Sequence, residues 1–126
     1  MLQTYPVRSG APEVVLHFLR ITGAGAANPT KNYGPGMTVT WISTGRYKVT
    51  FNEAQGVFIG VQAQYATNAP AAGNGQLINV DRDSAGSTSF EFFIEDPGTD
   101  AVANALADLA STDSVFMVIA YKTTSV

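Results

Sequence analysis

The chain contains no cysteine in its 126 residues, which excludes disulfides, thiolate metal sites and cysteine nucleophiles. Charge is scarce as well. Only 13% of residues are charged, against about 25% in ordinary soluble domains. The seven lysines and arginines are scattered, with no basic cluster to neutralise a phosphate backbone, so nucleic acid is not an expected partner. No apolar run approaches the ~20 residues that span a bilayer, so no membrane partner is expected either. Histidine occurs once, as His17, with no G-x-S-x-G elbow to accompany it. Met1-Leu2-Gln3-Thr4 has neither the basic nor the apolar region of a signal peptide. The one Asn-x-Thr triplet, at Asn28, is disqualified as a glycosylation site by Pro29. The expectation is a protein made and used without export.

What replaces charge is Gly, Ala, Ser, Thr and Asn, on a background that is 45% hydrophobic. This composition fits one domain with a core, many turns, and a surface whose neutral polar groups can be buried against a partner. The clearest local pattern is V-T-W-I-S-T-G-R-Y-K-V-T-F, from Val39 to Phe51. Val39 and Trp41 share one face, then Tyr47, Val49 and Phe51 share one face, with a break at Thr44-Gly45. A period of two in β-branched and aromatic residues predicts an antiparallel hairpin.

The rest of the chain reads similarly. Residues 1–13 carry Pro6, Pro12 and Gly10 among Leu2, Tyr5 and Val7, and read as an extended arm, either a frayed terminus or a segment that docks on a neighbour. Residues 14–126 read as a single β-domain. Glu13 to Thr22 is apolar on both faces, as in a strand covered by a second sheet and by another chain or loop. Residues 23–36 read as a loop. Val57 to Tyr65 is a strand with Val57, Ile59, Val61, Ala63 and Tyr65 on one face. Gln76 to Arg82 and Ser87 to Glu95 form a second hairpin, with Phe90, Phe92 and Ile94 inward. Phe93 points outward between glutamates, which marks a candidate interface. A short helix near residues 100–110 is predicted from a cap at Thr99 or Asp100 and the spacing of Val102, Leu106 and Leu109. Val115 to Tyr121 is the last strand. The fold expected is all-β, an antiparallel β-sandwich or jelly roll of about seven strands.

Charge is uneven along the chain. Residues 1–80 carry Arg8, Arg20, Lys31, Arg46 and Lys48 against Glu13 and Glu53. Residues 81–126 carry eight acids against Arg82 and Lys122. Such asymmetry can steer association with a partner or with a copy of the chain.

Reactive constellations are not evident. Gly23-Ala24-Gly25-Ala26-Ala27-Asn28 starts like a dinucleotide loop but runs into Pro29 with no helix to receive a phosphate. Asp81-Arg82-Asp83 starts like a calcium loop, but Ala85 and Phe92 replace oxygen ligands. Glu91, Glu95 and Asp96 read as a solvated acidic edge rather than a glycosidase pair. Trp41, Tyr47 and Tyr65 read as core rather than as a sugar-stacking platform. No enzymatic activity, cofactor or metal is expected.

The hairpin within P-G-M-T-V-T-W-I-S-T-G-R-Y-K-V-T-F (residues 35–51), following a glycine-rich loop, resembles small virion proteins of tailed bacteriophages. Head decoration (cement) proteins, head fibres and some tail-fibre domains carry a similar hairpin, and other trimeric jelly-roll modules use a comparable glycine-x-tyrosine turn. The resemblance covers residues 21–65, with a looser likeness over Asp100 to Lys122. It implies a homotrimer that binds the major capsid protein on the outside of the head, assembled in the bacterial host cytoplasm, without catalysis. The chain lacks a coiled-coil or repetitive shaft, which favours a compact decoration protein. The alternative is a host-recognition or carbohydrate-binding module of a fibre, using loops 23–36 and 66–75. Leu2, Tyr5, Pro6, Val7 and Phe93 are the expected capsid or subunit contacts.

Overall fold

A computed structural model describes residues 5–6, 13–68, 76–97 and 105–123. They form ten antiparallel strands: β1 (Tyr5–Pro6), β2 (Val14–Thr22), β3 (Thr30–Tyr33), β4 (Met37–Ser43), β5 (Arg46–Phe51), β6 (Val57–Ala66), β7 (Leu77–Asp81), β8 (Ser89–Asp96), β9 (Ala105–Leu106) and β10 (Ser114–Lys122). A single 3₁₀ turn, Arg82–Ser84, links β7 to β8. The first sheet runs β1-β2-β10-β6, with β3 on the same edge of β2 as β1. The second runs β4-β5-β8-β7, with β9 also on β8. The all-β sandwich expected from the alternation is therefore the fold. All seven expected strands are present, and β1, β3 and β9 are additional.

The alternating residues build the interior between the sheets. Leu19 and Ile21 from β2 and Val115, Met117, Ile119 and Tyr121 from β10 face Tyr47, Val49, Phe51, Phe90, Phe92 and Ile94. Each is buried, and burying a large apolar side chain contributes about 1.5–3 kcal/mol. The rings interlock: Tyr47 stacks on Phe92 at 5.2 Å, and Phe51 meets Tyr121 edge-on at 5.2 Å. The β4–β5 turn needs its glycine twice over. Gly45 has φ of 70°, and a Cβ there would lie 2.8 Å from the Ala107 nitrogen.

Four expectations are corrected. Residues 105–110 are not helical: Ala105–Leu106 pairs with Glu95 and Asp96, and an irregular segment follows. The backbone donors there find tertiary acceptors instead of helical ones, Ala107 N–H donating to Ile94 O (3.0 Å) and Leu109 N–H to Tyr47 Oη (2.7 Å). The rest of that prediction, including Val102, lies outside the described residues. The 23–36 loop contains β3, whose four residues are all exposed and so show no alternation to read.

On β6, Tyr121 pairs with Phe58 while Ala120 pairs with Gly60, so Ile59 is the extra residue of a bulge. The bulge reverses the phase. Phe58 turns inward against Phe90 and Tyr121, and Val57 and Ile59 turn outward, 47% and 54% exposed. Finally, the expected arm is not wholly separate from the domain. Tyr5 and Pro6 pair with Leu16 and Val15 as a short edge strand, where a proline costs no ladder bond.

Candidate assembly surfaces

The polar groups nearest to chemistry are all engaged in holding the fold. His17 is fully buried against Phe51 (ring centroids 4.9 Å apart) and Tyr121 (6.2 Å), with no hydrogen-bond partner in place for either ring nitrogen. Burial pushes its pKa below the usual histidine value, and the Gln55 side chain opposes that shift only in part. Trp41 Nε1–H and Gly45 N–H both donate to Asp108 Oδ1, at 2.8 and 2.7 Å. Tyr65 Oη–H donates to Asp113 at 2.5 Å. Burial raises the Tyr65 pKa, and the neighbouring carboxylate raises it further. Trp41, Tyr47 and Tyr65 are thus fastened by their polar ends and make no open platform.

The calcium-like turn is likewise internally satisfied. Asp81 accepts from Asp83 N–H at 3.1 Å and pairs with Arg46 at 3.2 Å, and Arg46 also reaches Glu91 at 3.3 Å. Among the described residues, no three His, Cys, Asp or Glu side chains gather as metal ligands. The glycine loop after β2 leads to a strand and not to a helix.

What the fold leaves unsatisfied is apolar surface. Register places Leu16 beside Ala120, Phe18 beside Val118 and Arg20 beside Phe116 on the outer face of the first sheet. Phe18 and Phe116 stack at 6.5 Å, and Phe116 is 41% exposed. With Arg20 and Tyr33 they line an open groove of about 600 Å³. No aspartate or glutamate occurs on any strand of this sheet.

The outer face of the second sheet is polar over most of its length, with Thr38, Thr40, Lys48, Thr50 and Glu91 in outward register. It becomes apolar at one end, where Leu77 and Leu106 flank Glu95 and Phe93 sits one row away between Arg46 and Asn79.

The expected contact residues are therefore divided. Phe93 lies half-buried on the outer face of the second sheet, and Tyr5 and Pro6 lie at the edge of the first. Leu2 and Val7 fall outside the described residues. Sequence reading missed Tyr33, Leu77 and Leu106 as surface groups. The short strands that carry Tyr33 and Leu106 have no alternation, and Leu77 opens a strand whose inward face is only partly buried. The double-sided apolarity of β2 and β10 was the available signal for Phe18 and Phe116.

No family model matches the chain, and neither a curated protein nor a solved structure matches it.

Proposed function

We propose that the chain is a non-enzymatic virion structural protein, a capsid decoration (cement) protein. It assembles as a trimer on the head surface of a tailed bacteriophage, contacts the major capsid protein and stabilises the shell. The observation that carries this reading is the outer face of the first sheet. A row of Leu16, Phe18, Phe116, Val118 and Ala120 stands outside the core, on strands without one acidic residue. β2 and β10 are nine residues each, about 30 Å long at the rise of an extended strand, so the face is of the order of a subunit contact. A protein held at high copy number on a shell gains from such contacts even when each is weak.

The test is cosedimentation of the full chain with phage heads assembled without it, followed by heating. Binding that raises the temperature of head disruption is the expected result. Heads that pellet without the protein would overturn the reading. The alternative, a carbohydrate-binding fibre module, has less to stand on. Residues 30–33 of its first loop are strand. A glycan array bearing neutral and acidic sugars separates the two, since a decoration protein leaves it blank.

A further inference from the structure

Two exposed apolar patches, apart from the exposed Val57 and Ile59 at the far end of the first sheet, differ in chemistry and share a location. The first is Phe18, Arg20 and Phe116 on the first sheet. The second is Leu77, Phe93 and Leu106 on the second. The strands of the first sheet carry Arg20, Lys31 and Lys122 and no acid. Those of the second carry Arg46 and Lys48 against Asp81, Glu91, Glu95 and Asp96. One sheet is thus net positive and the other net negative. Contiguous exposed apolar patches mark interaction surfaces, and Arg20 within the first patch and Glu95 between Leu77 and Leu106 in the second give the two opposite charge at their centres.

Both patches sit at the same end of the sandwich. Arg20 lies two residues before the end of β2, and Leu106 pairs with Glu95 near the end of β8. The segment after β9 ties these ends together. Gly23 N–H donates to Asp113 O (3.0 Å) and Gly25 N–H to Leu109 O (3.1 Å) from the β2 side. On the β8 side, Ala107 N–H donates to Ile94 O (3.0 Å) and Gly45 N–H to Asp108 Oδ1 (2.7 Å).

We infer that the occupant of each patch is a second copy of this chain, joined head to tail, with the Phe18–Arg20–Phe116 patch of one copy against the Leu77–Phe93–Leu106 patch of the next. Two unlike patches on one subunit define a heterologous contact, which closes into a ring if successive copies rotate and runs into a filament if they do not. This inference deepens the trimeric assembly proposed above and rests on it for the closed ring, but its contact is testable without any capsid.

The test uses the full-length chain, an Arg20→Glu variant that spoils the first patch and a Leu106→Glu variant that spoils the second. Phe116→Glu serves as an independent lesion of the first. Mass is measured by light scattering across a dilution series, with circular dichroism confirming that each variant is folded. The wild type is expected to form a closed oligomer, and each variant alone to be monomeric, its association weakened at least about tenfold. Mixing Arg20→Glu with Leu106→Glu leaves one intact pairing and is expected to give a heterodimer and nothing larger.

A Leu106→Glu variant that still dimerises with itself would overturn the head-to-tail contact in favour of like against like. Variants that keep the wild-type mass would place the contact elsewhere while leaving an oligomer standing. A wild type that stays monomeric at every concentration would remove the self-contact, and the decoration reading is then decided by the head cosedimentation alone.

Discussion

The two sheets share one interior and present unlike exteriors. On the second sheet the outward positions are largely Thr, Lys and Glu, and Arg46 clamps Asp81 and Glu91 across three strands. On the first, the middle outward positions of the two central strands are Leu, Phe, Val and Ala around Arg20, with Thr22, Ser114 and Lys122 at the strand ends. If water were the only neighbour of both, nothing in the fold would require this difference, because the core is built from the opposite face of each strand. The comparison teaches that inward positions of this chain report on folding, while the outward apolar positions, along the first sheet and at one end of the second, report on assembly. Adjacent residues on one strand can therefore answer different questions.

The sharpest way to break that distinction is on β8. Phe92 is 1% exposed and stacked on Tyr47, while Phe93 beside it points outward. Phe92→Ala is expected to cost about 3–5 kcal/mol of folding stability, measured by urea denaturation. Phe93→Ala is expected to cost about 1 kcal/mol or less, as at a half-exposed site. Equal losses would mean that the outer face is structural, and the division between the two faces would fail.

Next in size is the clamp at the end where both patches lie. Asp108→Ala leaves Trp41 Nε1–H and Gly45 N–H without their acceptor, and about 2–3 kcal/mol is expected to be lost. Because that segment ties β2 to β8, hydrogen exchange at Gly25 and Ala107 is expected to accelerate in the variant more than exchange at the far end of β10. Uniform acceleration would show that the segment opens only with the whole sandwich.

Much of the fold was legible because alternation is a strong signal wherever one face is buried. The hairpin from Val39 to Phe51 and the inward set Phe90, Phe92 and Ile94 follow from period two alone. The parts that were not legible are those where something other than burial decides. On β6, a single inserted residue at Ile59 reverses the phase, and no hydrophobicity pattern announces a bulge in V-F-I-G-V. At residues 105–110, helical spacing of Leu106 and Leu109 competes with tertiary acceptors offered by Ile94 and Tyr47, and the acceptors win. The candidate surfaces were half legible for the same reason. Apolar residues on both faces of β2 could be read directly, but the joining of Phe18 with Tyr33, or of Phe93 with Leu77 and Leu106, depends on strand pairing that the sequence does not spell out.

His17 offers a milder test, one of slope. Burial holds its folded-state pKa below the usual value near 6.5, against a smaller opposing pull from the Gln55 side chain. The unfolded chain therefore takes up a proton that the folded chain refuses. Stability is full above the unfolded pKa and falls as pH drops from about 6.5 towards the folded pKa. Asp113 acts lower on the scale. Burial alone would raise its pKa, but hydrogen bonds from Tyr65, Thr67, Thr112 and the Asn68 backbone together hold it below 3.8. Its contribution is present above that value and is lost as pH falls through the folded pKa. Denaturation midpoints recorded between pH 5 and 7 are expected to slope for the wild type and to flatten for His17→Leu, which also removes two unpartnered buried nitrogens. A slope that survives the substitution would assign it to other groups.

The smallest effect on folding is expected where the exteriors are compared directly. Arg46→Met removes the two ion pairs of the second sheet, both partly exposed, and is expected to change stability by about 0.5–1 kcal/mol, less in high salt. Phe116→Thr, on the first sheet, exchanges a 41% exposed ring for a residue with high strand propensity, and its expected cost to the isolated fold is similarly small. The two substitutions should part company in assembly. Arg46→Met, which makes the second sheet more negative beside Phe93, is expected not to weaken the self-contact, and Phe116→Thr to shift the mass towards monomer at the same protein concentration. If Phe116→Thr instead destabilised the monomer by several kcal/mol with no change in mass, the apolar exterior of the first sheet would belong to the fold itself, and the two exteriors would differ in composition without differing in role.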